Sequence, residues 1–239
     1  MPPEPEPLKR HARTVIVTAR DEADRIEATI RALHEAFPGA RVVLAESGSR
    51  DATAAIADRA GAEVVPTASR RRGKGGSATT TARAALASPG AAETTFLLCD
   101  GDLGASAGRL GPLVDAVENG GCDLAVAAFS RKLGGGFGIA VGFARWAIHD
   151  LTGLATRAPI SGQRALRGSS LELLLPFADG FGMETGMTVD AVRAGLVLKE
   201  VEIDLEHRAT TRSLSGFAHR ARQLASFVRT YLSRRRGDR

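Results

Sequence analysis

Cysteine is scarce: the chain of 239 residues holds two, Cys99 and Cys122. They stand at the end and at the start of apolar runs and read as small core residues. A disulfide framework is therefore not expected, and a reducing compartment is. Long apolar runs are missing too, since none approaches the roughly 18 residues that a membrane-spanning helix needs. The N-terminus, MPPEPEPLKRHAR, carries prolines and charges where a signal peptide would carry an apolar core. It reads as a disordered lead-in over residues 1–13, and the chain as a soluble, cytoplasmic protein. Acidic residues, finally, are almost absent from the end of the chain: residues 207–239 contain nine arginines and a single acid, Asp238. The net charge of +5 is thus a local excess. Such a tail suits either an anionic partner or a solvated arginine-rich helix.

What is present is ordinary globular composition, 44% hydrophobic and 25% charged, in a length that fits one large α/β domain. The first half alternates. TVIVTA (14–19), ARVVLAE (40–46), AEVVP (62–66) and TTFLLCD (94–100) read as strands. Between the first two, residues 22–37 place Ile26, Ile30, Leu33 and Phe37 on one helical face, and Pro-Gly stops them. Residues 50–61 form a shorter helix closed by Gly61, and SATTTARAALAS (77–88) forms the helix before the fourth strand. This order argues for a doubly wound, mostly parallel sheet. The second half is less regular. It offers helices over 108–120 and 182–195, strands over 122–129 and 196–208, a short strand or turn in ISGQRALRG, a glycine-rich loop in SRKLGGGFG, and a final helix. In that helix Phe217, Leu224, Phe227, Val228 and Tyr231 interleave with arginines.

In parallel sheets of this kind ligands bind outside the carboxyl ends of the strands, and three polar clusters fall there: ARDE (19–22), ESGSRD (46–51) and DGD (100–102). Asp100 and Asp102, with Gly101 permitting the bend, form a D-x-D turn that can face one hard cation such as Mg²⁺ or Mn²⁺ shared with substrate phosphates. The plainer alternative is a polar turn ending a strand. SRRRGKGGSAT (69–79) exposes backbone, supplies Lys74, and leads into a helix beginning at Ser77, which favours phosphate contact over a merely basic loop. It lacks the P-loop spacing. Glu46, at a strand exit, can accept hydrogen bonds from a ribose or a base, whereas Asp51 reads as a helix cap or first-turn charge. His207, alone after a strand, carries little by itself.

Taken together, TVIVTARDEADRI, LAESGSRDAT, GKG and CDGDL resemble, in order, the motifs of family 2 type glycosyltransferases. The second half, in PISGQRALR, PFADGFGMETGMTVDAVRAGL and EHR, is similar to the glucosyl-3-phosphoglycerate synthases among their relatives. The resemblance covers roughly residues 14 to 225 and implies the A-type glycosyltransferase fold, with a transferase domain over 14–211 and a basic C-terminal helix over 212–239. By position it implies that Ala19, Glu22 and Glu46 line the base and ribose pocket and that Lys74 lies near the nucleotide. Asp102, Asp100 and His207 would hold the metal, with Asp100 alternatively serving the ribose. Glu184, in METG, would sit beside the transferred sugar, as orienting group or general base.

Some positions depart from the pattern. TARDE lacks the usual proline and asparagine. GGGFGIAVG lacks the arginine and threonine with which the synthases grip the acceptor phosphate, and Ala209 stands where they carry asparagine. Arg145, Arg157 and Arg164 are the basic residues left for that grip. The resemblance thus implies a metal-dependent hexosyltransferase using a nucleotide-diphosphate sugar, UDP before GDP, with a phosphorylated or lipid-phosphate acceptor and an inverting or retaining outcome left open. No nucleic-acid partner is expected. The basic helix leaves peripheral contact with the inner membrane face open, and a homodimer is compatible. The rivals are a nucleotide-sugar-binding protein without turnover and, against the absence of glycine after the first strand, a nucleotidyltransferase.

Overall fold

The computed structural model describes residues 12–66, 73–129, 138–205 and 214–237. Seven strands form one sheet in the order β3-β2-β1-β4-β6-β5-β7. They are β1 (Arg13–Ala19), β2 (Arg41–Glu46), β3 (Glu63–Pro66), β4 (Thr95–Asp100), β5 (Leu124–Phe129), β6 (Arg164–Arg167) and β7 (Leu198–Ile203). β1 pairs in parallel with β2 and β4, β2 with β3, and β5 with β7, while β6 runs antiparallel to both β4 and β5. The reversal matters for the site. It brings the start of β6, not its end, to the edge where β1, β2 and β4 finish.

Period-two alternation sorts the strand side chains onto two cores. Val15, Val17, Leu44, Leu97 and Cys99 face helices α1 (Ile26–Ala36) and α4 (Gly111–Glu118), through Ile26, Ile30, Leu33, Leu113 and Val117. Ile16, Ala45, Phe96, Leu98, Val126 and Leu166 face α3 (Gly73–Leu86), α6 (Gly168–Leu173) and α7 (Met183–Arg193), through Ala78, Ala82, Leu171, Met183 and Met187. α2 (Thr53–Arg59) covers the β2–β3 crossover. Both cysteines are free, buried thiols, as their flanking residues implied. Among the described residues no helix is long and apolar enough to cross a membrane.

The first three strands and the helices between them lie where their periodicity placed them, with α1 starting later than expected, at Ile26. β1 begins one residue before the expected boundary. Arg13 belongs to the strand and is tied to Glu118 at 2.7 Å. Three features differ more. α3 starts at Gly73, four residues before the expected Ser77, so Lys74 lies in a helix and not in a loop. α5 (Gly138–Thr152) was not foreseen. The C-terminal helix, α8 (Leu214–Arg236), lies against the body: Phe227 packs with Ala140 and Ala144 of α5, and Arg234 forms a buried ion pair with Asp190 of α7 at 2.7 Å. Tyr231 stacks on Trp146 with ring centroids 5.0 Å apart and donates to Asp150. Phe227 and Tyr231 are therefore spent on protein packing, and the outward residues of α8 include Arg229, Leu232, Arg235 and Arg236. Residues 69–72 of the basic stretch and 130–137 of the glycine-rich stretch lie outside the described residues.

Candidate active site

β4 delivers Asp100 to the carboxyl edge, and Gly101 turns the chain there. A Cβ on Gly101 would sit 2.7 Å from that of Ala19, so only glycine lets the two strand exits lie side by side. The Gly101 amide continues the ladder by donating to Thr18 O at 2.9 Å. α1 fixes the rest of the turn: Thr29 Oγ1 donates to Gly101 O at 2.8 Å, and the Arg25 guanidinium donates to the Asp102 carbonyl at 3.2 Å. Asp102 is left half-buried one residue beyond the bend.

The carboxylate of Asp100 is the hub. Lys74 Nζ donates to its Oδ1 at 2.5 Å, Gln163 Nε2 to its Oδ2 at 2.8 Å, and Thr18 Oγ1 to Oδ1 at 3.3 Å. Lys74 also reaches Glu184 Oε1, in the first turn of α7, at 2.6 Å. One ammonium thus bridges two carboxylates that lie far apart in sequence. Burial lowers the pKa of Lys74, but the charges of Asp100 and Glu184 and the hydrogen bonds to both outweigh it, and the net value is held above that of a free lysine. Gly162 presses onto this cluster: a Cβ there would lie 2.5 Å from Asp100 Oδ2 and 2.7 Å from Lys74 Nζ. Burial also raises the Cys99 thiol beneath Asp100, so it is an inert core group.

Beside this cluster the loops that leave β1 and β2 are tied together. Ala19 is buried, and its carbonyl accepts from Ser47 N at 3.2 Å. Glu22 N donates to Thr53 Oγ1 at 2.9 Å, and Glu46 Oε1 accepts from Ser49 N at 2.5 Å. Asp51 accepts from Thr53 N, at the first residue of α2, and from Ala23 N, which ties the two loops together. Asp21, at φ 56°, takes the left-handed conformation that Asp tolerates best after Asn and Gly, and accepts from Arg50 N at 2.7 Å. Ser47 Oγ and Ser77 Oγ meet at 2.6 Å, linking these loops to α3.

Of the residues singled out from the sequence, Lys74, Asp100 and Glu184 come together in direct contact. Asp102 follows one residue beyond the bend, and Ala19, Glu22 and Glu46 lie at the exits of β1 and β2 on the same edge. His207 lies outside the described residues, and among those described no three His, Cys, Asp or Glu side chains converge as a metal cage. The three arginines considered for an acceptor grip have other partners. Arg145 donates to the Thr156 and Arg157 carbonyls, Arg157 pairs with Glu200 at 3.2 Å, and Arg164 is fully buried. Gln163 was missed as a functional residue. Its motif, SGQR, was legible, but nothing local marks a glutamine that reaches a residue 63 positions away.

Comparison with known proteins agrees with this architecture. Residues 14–156 match the model of glycosyl transferase family 2. Glucosyl-3-phosphoglycerate synthase from Mycobacterium tuberculosis, in complex with phosphoglyceric acid, is 26% identical over 94% of this chain and 80% of its own, with a TM-score of 0.74. The same enzyme bound to Mg²⁺ and UDP is 26% identical, with a TM-score of 0.73, over 94% of this chain and 79% of its own. A further mycobacterial protein is 28% identical over 94% of this chain and 75% of its own, with a TM-score of 0.76. No curated protein sequence matches the chain. With well over half of the chain matched to the family model and a seven-stranded mixed sheet like that of the A-type transferases, the chain belongs to glycosyl transferase family 2.

Proposed function

We propose that the protein transfers a hexose from a UDP-sugar to a phosphorylated acceptor, a soluble phosphate ester or a lipid phosphate, with a divalent cation at the Asp100–Asp102 turn. The observation that carries this reading is the cluster at the carboxyl edge: Asp100 held by Lys74 and Gln163, Asp102 beside it, and Glu184 across the same lysine. UDP is preferred as the nucleotide because the similar synthase was crystallised with UDP.

The donor set fits a hard cation. Both candidate ligands are carboxylates, and Mg²⁺ or Mn²⁺ commonly takes one or two of these and completes its shell with substrate phosphates and water, so a three-residue cage is not required. Asp102, half-buried one residue beyond the bend, is the principal proposed ligand, and Asp100, which accepts from Lys74, Gln163 and Thr18, is its partner. His207 is the third proposed contact. Bound there, the cation supplies charge neutralisation to the departing diphosphate.

The chain's own residues do the rest. Ala19, Glu22 and Glu46 receive base and ribose between the exits of β1 and β2. Lys74 holds Asp100 and Glu184 in fixed relation, so that the cation side and the sugar side of the crevice keep their spacing. Glu184, almost fully buried at the start of α7, faces the sugar and orients it or accepts a proton from the acceptor hydroxyl. A thermal-shift screen of nucleotide sugars with and without Mn²⁺ identifies the donor, because a ligand that binds the folded state raises its melting temperature. In turnover assays with that donor, Asp102→Ala is expected to lose at least about 100-fold in metal-dependent rate. Unchanged turnover in Asp102→Ala refutes the assignment, and donor binding without turnover against any phosphorylated acceptor refutes the transferase.

A further inference from the structure

Arg164, the first residue of β6, is fully buried, yet among the described residues no carboxylate is within ion-pair distance of it. Its Nε donates to the Ser161 carbonyl at 2.8 Å and its Nη1 to Thr188 Oγ1 at 3.0 Å, while Nη2 is buried with no acceptor among the described residues. Burial pushes its pKa down to about 10, against the pull of Glu184 and Glu200. For stability alone this is a poor arrangement, because an apolar side chain of similar length would fill the space without desolvating a guanidinium. The fork has a reach that an apolar chain lacks: it joins two segments that each carry a residue of the site.

The first segment is the turn before β6. Arg164 holds the carbonyl of Ser161. Ser161 Oγ donates to Gln163 Oε1 at 3.3 Å, which orients the amide so that Nε2 meets Asp100. Gly162 lies between them, against Asp100 and Lys74. The second segment is the start of α7. Thr188 Oγ1 accepts from Arg164 and donates to the Glu184 carbonyl at 3.0 Å, one turn back, and Glu184 meets Lys74. Both routes from the guanidinium therefore end on the Asp100–Lys74–Glu184 cluster, from opposite sides.

We propose that Arg164 is a positioning residue for the transfer reaction, a role that presupposes the transferase reading above: its guanidinium clamps the Ser161–Gln163 turn to α7 and so fixes Gln163 on Asp100 and Glu184 on Lys74. Lysine keeps the charge but cannot bridge two acceptors in a planar fork. Arg164→Lys therefore does not restore function, and Thr188→Val, which cuts one arm of the fork and leaves the arginine in place, acts in the same direction.

Two measurements test this on the full-length protein. In steady-state assays with UDP-glucose, or the donor that the screen identifies, both variants are expected to lose about 10- to 100-fold in kcat, with KM for the donor within about threefold. Independently of turnover, the ¹⁵Nζ ammonium resonance of Lys74, one of four lysines in the chain, is expected to shift or to broaden through faster proton exchange in both. A lowered melting temperature with kcat per folded molecule and the Lys74 resonance unchanged shows a merely structural arginine and overturns the proposal, as does recovery of kcat in Arg164→Lys. Should the wild-type protein turn over no donor while the Lys74 resonance still responds to Thr188→Val, the clamp stands and the transferase reading fails. Should Arg164→Lys not fold, Thr188→Val decides by the same two readouts.

Discussion

Replacing Lys74 by methionine removes one charge from between two carboxylates and changes little else in volume. Its Nζ lies 2.5 Å from Asp100 and 2.6 Å from Glu184, and the side chain is 24% exposed against 26% and 6% for its partners. Taking one partner from a fully buried pair costs roughly 3–5 kcal/mol because the other charge is stranded; partial exposure at Asp100 screens the loss, so about 2–3 kcal/mol is expected. In a domain of this size that corresponds to a fall of about 5–10 °C in melting temperature. The loss resides mainly with Glu184, since Asp100 keeps Gln163 and Thr18 as donors. The double variant Lys74→Met/Glu184→Gln should therefore recover at least about half of the stability lost in the single one. The pH dependence follows from the direction of the lysine's shift. A lysine whose pKa rises on folding contributes its full stability below the ordinary lysine value of 10.5, and loses it only as pH climbs through the higher folded value. The lysine's own contribution should thus be constant between about pH 6 and pH 9. Thermal and urea unfolding at several pH values measure all of this. A single variant within about 0.5 kcal/mol of wild type, or a double variant no more stable than the single one, refutes the bridging role of Lys74.

Gly162→Ala should lower the melting temperature and the transfer rate together, by about 1–3 kcal/mol in stability, because its Cβ cannot share space with Asp100 Oδ2. Gly111→Ala, where a Cβ meets nothing within 4 Å, is the neutral control. At Glu200, burial raises the pKa, but donation from Thr156 Oγ1 and from the Arg157 and Ala158 amides outweighs it and leaves the net value below the ordinary 4.5. Its stabilisation is present above that ordinary value and disappears as pH falls through the lower folded one. Glu200→Gln should accordingly be about 1–3 kcal/mol less stable than wild type at pH 7 and match it in strong acid, as read by denaturant titration. Since Phe227 and Tyr231 face the protein, the described side chains of α8 that are open to an anionic lipid surface include Arg229, Leu232, Arg235 and Arg236. Reversing those three arginines to glutamate should weaken co-sedimentation with anionic vesicles, and wild-type protein that does not sediment refutes the contact.

The first half of the chain was legible because its information is local. In β1, α1 and β2 the period of the apolar residues, the Pro-Gly stop after Phe37 and the strand lengths all agree, and parallel order follows from the alternation itself. Ala19, Glu46 and Asp100 could be placed at the carboxyl edge of the sheet on that basis alone. α5 was not foreseen, because its own residues include Gly138 and Gly142 and its buried alanines pack on Phe227, which arrives from the end of the chain. The GKGG stretch shows how a correct feature acquires the wrong cause. Its glycines read as exposed backbone that greets a phosphate. In the fold they are the first turn of α3, where a Cβ on Gly75 would lie 1.8 Å from the Ala178 carbonyl. Glycine is required there so that the helix can approach the 178–179 segment, and that approach carries Lys74 to Asp100 and Glu184. The cation of the motif is therefore aimed by a steric need that no window of sequence contains. A substitution that fills Gly75 should disable Lys74 without touching it: Gly75→Ala is expected to lower the transfer rate, and normal turnover in a folded Gly75→Ala protein would show that the approach of α3 does not set the lysine.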